Sequence, residues 1–396
     1  MRPDSSRDRL LLLVASIALM LPILRFYWPA GGGLDVVGYP LGRDFINVWS
    51  GPQVAFGDNV SALFDLRGYH EAIGRLFGTP LPFHNWGYPL FTLPAFWPLA
   101  QLPYFWALTV WTAGLFAVFA AIVLAEVEPA RRTQALLLLA LTPACLINTI
   151  GGQNGFLSAA LFLGGVLNID RRPILSGVLI GLLTFKPHLG MVLPFALVAL
   201  GAWRVIASAA VTALVLFGVA TAMFGVDAWR DYFAAVGPYQ TELLRQFEGF
   251  YTTMMVSVLA SARQLGLPYP LALGLQVIVS VGAIALACWA VRRIADPCAR
   301  AFLLAAATLL ATPYAFNYDM TAIGAALVWI MVGRLPYRAE AGPIYMLAWL
   351  ASPATMMLAL YGSGLAPLIM LFVLSSTFAV AILDATSPEP RRLAAA

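Results

Sequence analysis

Asp44 stands where the first long apolar run ends, directly after Arg43 and directly before Phe45. A partly desolvated carboxylate at a membrane surface suits general-base work. Asp before an apolar segment is also a good helix N-cap, and the residues alone leave both readings open. Three further sets carry comparable chemistry. Gly151-Gly152-Gln153-Asn154 offers two amides that can hydrogen-bond a sugar, or a polar turn that satisfies its own backbone. Thr184-Phe185-Lys186-Pro187-His188 holds the chain's single lysine between two apolar runs, with a proline behind it. Its ammonium can bind phosphate as a point charge or snorkel to the interface, and His188 gains weight from that neighbour. Thr312–Asp319 is a turn between two apolar runs that carries Asn317 and Asp319. It reads equally as a connecting loop with an aromatic belt. His84, Trp86 and Tyr88 are positioned to join these groups.

The elements that must hold these residues are membrane helices. The 396-residue chain is 61% hydrophobic and 11% charged, whereas a soluble domain is roughly one quarter charged. Apolar runs of about 20 residues span hydrocarbon as helices, and no alternating barrel pattern is present. The sequence predicts an all-α polytopic membrane protein, one domain over 1–396. Twelve spans are expected at about 10–28, 104–125, 134–150, 154–169, 174–186, 188–203, 205–225, 271–291, 299–313, 318–333, 343–360 and 365–384. The charged N-terminus resembles a signal peptide without a small-residue cleavage site, so it reads as an uncleaved first helix.

Arginines set the expected orientation. With the N-terminus in the cytoplasm, 15 of the 23 basic residues fall on the cytoplasmic side, and both termini lie there. Two long loops then face outward, 29–103 and 226–270. In the first, Asp58–Phe77 reads as one or two short amphipathic helices with Leu63, Phe64, Leu66, Tyr69, Ile73 and Leu76 on the apolar side. Pro89, Pro94, Pro98 and Pro103 predict a broken interfacial segment, with Trp86, Trp97 and Trp106 at headgroup depth. All four polar sets fall on the outward side, although arginines alone assigned it.

Scattered basic residues form no nucleic-acid patch. Three cysteines, two of them in apolar runs, suggest neither a disulfide framework nor a metal site, and no carboxylate or histidine cluster calls for a metal.

Asp44-Phe45, Trp49, Gly57 and Phe64-Asp65 form a first motif. Tyr88-Pro89-Leu90 and Pro98-Leu99-Ala100-Gln101-Leu102-Pro103 form a second. Gly152-Gln153-Asn154-Gly155, Arg172-Pro173, Ser176-Gly177 and Lys186-Pro187-His188 form a third. With these motifs the chain resembles glycosyltransferase family 87 of the GT-C class, the polyprenyl-phosphate-mannose-dependent mannosyltransferase-like membrane enzymes. It departs from the family pattern at Leu90, where a second proline is usual, and at Pro52. The resemblance implies a GT-C-like bundle without a cofactor. It implies transfer of a hexose, mannose by the family's habit, from a polyprenyl phosphate to an acceptor hydroxyl on a lipid or glycan. That would take place on the outer face of the plasma membrane, with inversion. It makes Asp44 the catalytic base and Lys186, with Arg43 or His188, the partner of the donor phosphate. Gln153, Asn154, Tyr88, His84, Asn317 and Asp319 are then candidates for sugar or acceptor contacts. Two other classes compete. A transporter or flippase would spread its functional groups to both faces. A non-catalytic assembly partner would not need Asp44.

Overall fold

The computed structural model describes residues 6–57 and 59–386. Helix α1 (Ser6–Phe26) leads to a two-stranded antiparallel hairpin, β1 (Pro29–Gly31) and β2 (Leu34–Asp35). The first long loop then builds α2 (Phe45–Gly57), a short 3-10 turn (Val60–Leu63), α3 (Leu66–Phe77) and α4 (Thr92–Ala100). The two amphipathic pieces expected here are that turn and α3, with Asp58 outside the described residues. Asp65 caps α3 by accepting from the Arg67 amide, and Gly78 closes it. Leu63, Tyr69 and Ile73 are fully buried in one cluster with Phe45 and Ile46 of α2, while Leu66 and Leu76 stay exposed. The proline-rich segment is broken, since α4 ends before Pro103 and α5 (Tyr104–Thr109) starts after it.

From α5 a π turn (Val110–Gly114) continues into α6 (Leu115–Ala125). There follow α7 (Arg132–Ala140), α8 (Pro143–Gly151), α9 (Gly155–Leu167), α10 (Pro173–Leu182), α11 (Leu193–Leu200) and α12 (Trp203–Gln246). The chain ends with α13 (Val258–Gln264), α14 (Tyr269–Val291), α15 (Pro297–Ala311), α16 (Thr321–Met331), α17 (Gly342–Leu360) and α18 (Leu365–Thr386).

Each of the twelve apolar runs is helical, but length divides them. Among the described residues, five helices are long and apolar enough to cross a membrane, or six if the bent pair 129–140 and 143–151 counts as one span. The expected dozen full spans is therefore not confirmed by helix length. A helix rises about 1.5 Å per residue and hydrocarbon is about 30 Å thick, so the 13 residues of α9 fall short. Instead α9, α15 and α16 are buried along almost their whole length. They form the centre of one apolar core, around which the longer helices pack.

The second expected loop is largely helix. Helix α12 continues to Gln246 through a kink at Gly225, whose φ of 80° only glycine adopts freely. The aromatic residues in this stretch pack against the first loop. Trp229 and Ala228 are buried against the first loop, Tyr232 meets the ring of Phe64 edge-on, and Ser61 donates to Asp231. Trp86 is likewise corrected from interface anchor to core residue. It is buried, and its ring lies where a Cβ on Gly51 would be. Trp97 and Trp106 do remain exposed.

Candidate functional site

The site is assembled by the close approach of two backbone turns. Gly152 ends α8 with φ 55°. A Cβ there would land on the Gly42 carbonyl oxygen and on Phe45. Glycine thus lets the end of α8 press against the start of α2, and Trp111 Nε1 donates to the Gly152 carbonyl at 3.2 Å. This contact places Gln153 beside Asp44, although the two are 109 residues apart in sequence. Gln153 Nε2 donates to Asp44 Oδ2 at 2.7 Å.

The chain of contacts continues from the next residue. Asn154 Nδ2 donates to the Tyr88 hydroxyl at 3.0 Å, and Asn154 Oδ1 accepts from Lys186 Nζ at 3.1 Å. Lys186 Nζ also donates to Asp319 Oδ1 at 2.5 Å and lies 4.5 Å from the ring centre of Tyr318. Asp319 Oδ2 in turn accepts from the Phe316 amide at 3.0 Å. Asn148 braces the arrangement. Its Nδ2 donates to the Tyr318 carbonyl and Thr321 Oγ1, and its Oδ1 accepts from the Gly155 amide. The structure therefore brings all four polar sets of the sequence into one network.

Within it the candidates differ. Asp44 is exposed, not partly desolvated as expected. Among the described residues its carboxylate has one hydrogen bond, to Gln153, which leaves Oδ1 open. That contact is to a side chain, not to the amides of α2 that a capping carboxylate would accept from. Lys186 is buried and closed in an ion pair whose carboxylate is also buried. Its three N–H groups meet Asn154, Asp319 and the Tyr318 face, so none is idle.

Arg43 does not extend the site. Its Nε and Nη2 bind Asp35 Oδ2, at 2.9 and 2.8 Å, and Nη2 also donates to the Phe26 carbonyl at 2.6 Å. The guanidinium stacks over Tyr27 at 3.8 Å. This arginine, held at φ 29°, ties the β1–β2 hairpin to the end of α1, which corrects its expected role on phosphate. His188 sits edge-on to Tyr314 at 5.6 Å, and its Nε2 is buried without a partner. His84 is buried with Nδ1 on the Pro82 carbonyl at 2.6 Å and Nε2 unpaired. Burial holds His84 below the usual imidazole range, against the opposing pull of the Asp44 charge. Asn317 is apart from the network. Its Nδ2 meets Met356 Sδ, and its backbone carbonyl accepts from Ser352, both on α17.

The residues that the sequence did not single out are Asn148, Trp111 and Tyr318. An asparagine inside an apolar helix was the available signal for the first; an indole and a phenol amid 12% aromatic residues carry none. A small cavity of about 20 Å³ borders Asp319, lined also by Phe162, Leu189, Thr308, Leu309 and Ile323 among others. Among the described residues no three His, Cys, Asp or Glu side chains gather into a metal-binding group.

The family model for glycosyltransferase family 87 matches residues 86–313, more than half of the chain. The chain belongs to glycosyltransferase family 87. It is therefore a membrane glycosyltransferase, with a sugar donor and an acceptor as substrates. The matched stretch of this family 87 enzyme contains Tyr88, Gln153, Asn154 and Lys186, while Asp44 and Asp319 lie outside it. No curated protein and no solved structure matches the chain.

Proposed function

We propose that the enzyme transfers a hexose, mannose in the first instance, from a polyprenyl-phosphate sugar to an acceptor hydroxyl, with Asp44 as general base. The observation that carries this reading is the run of contacts, through the sequence neighbours Gln153 and Asn154, from an exposed carboxylate with one open oxygen to the single lysine. Gln153 holds Oδ2 and so aims Oδ1. That oxygen takes the acceptor proton while the acceptor oxygen attacks the anomeric carbon. The bond from that carbon to the phosphate oxygen breaks, its electron pair leaves on the lipid phosphate, and the sugar carbon inverts. A fixed cation helps where that charge collects. Lys186 serves this step by trading one of its present partners, Asn154 or Asp319, for a phosphate oxygen.

Arginine placement supports an outward-facing site in the plasma membrane with both termini in the cytoplasm. A lipid-linked donor fits that side, where nucleotide sugars are not at hand. Membership of a transferase family leaves the transporter and assembly-partner readings without a supporting observation. Purified protein given a radiolabelled polyprenyl-phosphate mannose and candidate acceptors tests the proposal. Turnover is expected in the parent and is lost in Asp44→Asn. Equal turnover in both would sink it. A cysteine placed at position 65 should label from the outer face, and labelling from the cytoplasm would reverse the orientation.

A further inference from the structure

Buried polar side-chain atoms nearly always have a partner, so those without one mark places where something else belongs. Among the described residues four such atoms are His84 Nε2, Trp86 Nε1, His188 Nε2 and Gln240 Oε1. They come from three separate parts of the chain, yet the fold makes them neighbours. The Gln240 side-chain nitrogen lies 3.4 Å from where a Cβ on Gly87 would stand, one residue from Trp86. The Gln240 side chain is near enough to the Tyr314 hydroxyl to act on it, and the Tyr314 ring meets His188. The loop that carries His84 and Trp86 reaches the network through Tyr88, which accepts from Asn154, and His188 lies two residues from Lys186. By contrast, the amides and carboxylate expected to grip a sugar are engaged with one another. Gln153 is on Asp44, Asn154 on Tyr88 and Lys186, and Asp319 on Lys186.

The kind of orphan atom selects the ligand. His84 Nδ1 faces a carbonyl oxygen, so it carries the proton and Nε2 is left as an acceptor. Gln240 Oε1 is an acceptor as well. Trp86 Nε1 is a lone donor. Hydroxyls, which both donate and accept, satisfy such a mixed set. A neutral polyhydroxyl group meets these requirements.

We infer that Gln240 and His84, with His188 beside them, bind the hydroxyls of the transferred hexose, and that Tyr314 holds Gln240 in place for this. Gln240 is then a specificity-determining residue supplied by the far half of α12. The inference rests on the proposed transfer reading and deepens it.

The test measures binding, not turnover. The full chain carrying Asp44→Asn is reconstituted in lipid nanodiscs and titrated with polyprenyl-phosphate mannose and its monodeoxy forms. At least one deoxy donor should bind roughly tenfold more weakly than the parent sugar, the size expected when a buried acceptor loses its donor. Adding Gln240→Leu, or the near-isosteric Gln240→Met, should close that gap at the same hydroxyl. A flat deoxy series, or a gap unchanged by both substitutions, overturns the inference. The two readings fail separately. Donor binding with this pattern, without turnover by the enzyme that retains Asp44, would sink the transfer reading and leave this one standing.

Discussion

The two ends of the helical bundle both concentrate charge, and they handle it differently. At the end opposite the site, before α10 and after α16, Glu126 takes Arg171 at 2.5 Å and Arg334 at 3.5 Å. Arg334 also reaches Asp296 at 2.9 Å, and Arg300 reaches Asp170 at 2.7 Å. Glu126, Asp170 and Asp296 each have an arginine, and Arg171 and Asp170 are largely exposed. Arg131 adds a bond to the Val332 carbonyl, between the ends of two helices. That end is a clamp across loops. At the site end, Lys186 and Asp319 form a pair with both side chains buried, Asp44 has no cation on its carboxylate, and several buried polar atoms are unpaired. Balanced and wetted charge suits a joint. Unbalanced charge beside spare hydrogen-bonding capacity suits a ligand.

Four substitutions break or sharpen that contrast. The largest effect is expected at Asp44. Asp44→Asn should lower transfer by about a hundredfold or more, the usual share of a general base, with the melting temperature unchanged because the group is exposed and an amide oxygen can still face Gln153. A matching loss of stability would mean that Asp44 holds the fold instead. Next comes Lys186→Ala, which strands a buried carboxylate at a cost on the order of 3–5 kcal/mol. Lost activity in that variant alone would report unfolding. The double change Lys186→Ala with Asp319→Asn removes both charges and should recover most of the melting temperature but not the activity. Recovery of both would take Lys186 out of the chemistry. Smaller is Gln153→Ala, which frees the Asp44 carboxylate from a hydrogen bond to a charged group. Turnover should drop about tenfold, with donor affinity held. A drop in affinity instead would return Gln153 to direct sugar contact. Least is expected from Arg171→Ala at the other end, within about 1 kcal/mol in stability and no change in transfer. A measurable fall in transfer there would show that the clamp communicates with the site.

Much of this was legible in the chain. Asp44, Lys186 and Asp319 stood out because ionisable groups at the edges of apolar runs are costly and need a reason. The helices were legible because apolar runs are a local property. What misled was also local. Arg43 was grouped with Asp44 by adjacency, yet its partners are Asp35 eight residues back and the Phe26 carbonyl. Trp229 and Tyr232 fell in a stretch expected to be an outward loop, but they lie on α12, packed on the first loop. Gln240 carried no signal at all, since a lone glutamine near a proline is ordinary until Gly87 and Tyr314 are seen against it.

By itself, then, the sequence determined the solvent this protein lives in, where its helices lie and which side chains were too costly to be idle. Those depend on composition and on residues within a turn or two of each other. The tertiary structure alone decided which of those side chains share a site. The bonds from Gln153 to Asp44 and from Lys186 to Asp319 span 109 and 133 residues. The first exists because a bare glycine at 152 lets α8 touch the start of α2. No local pattern encodes that contact; it follows from how the central helices pack.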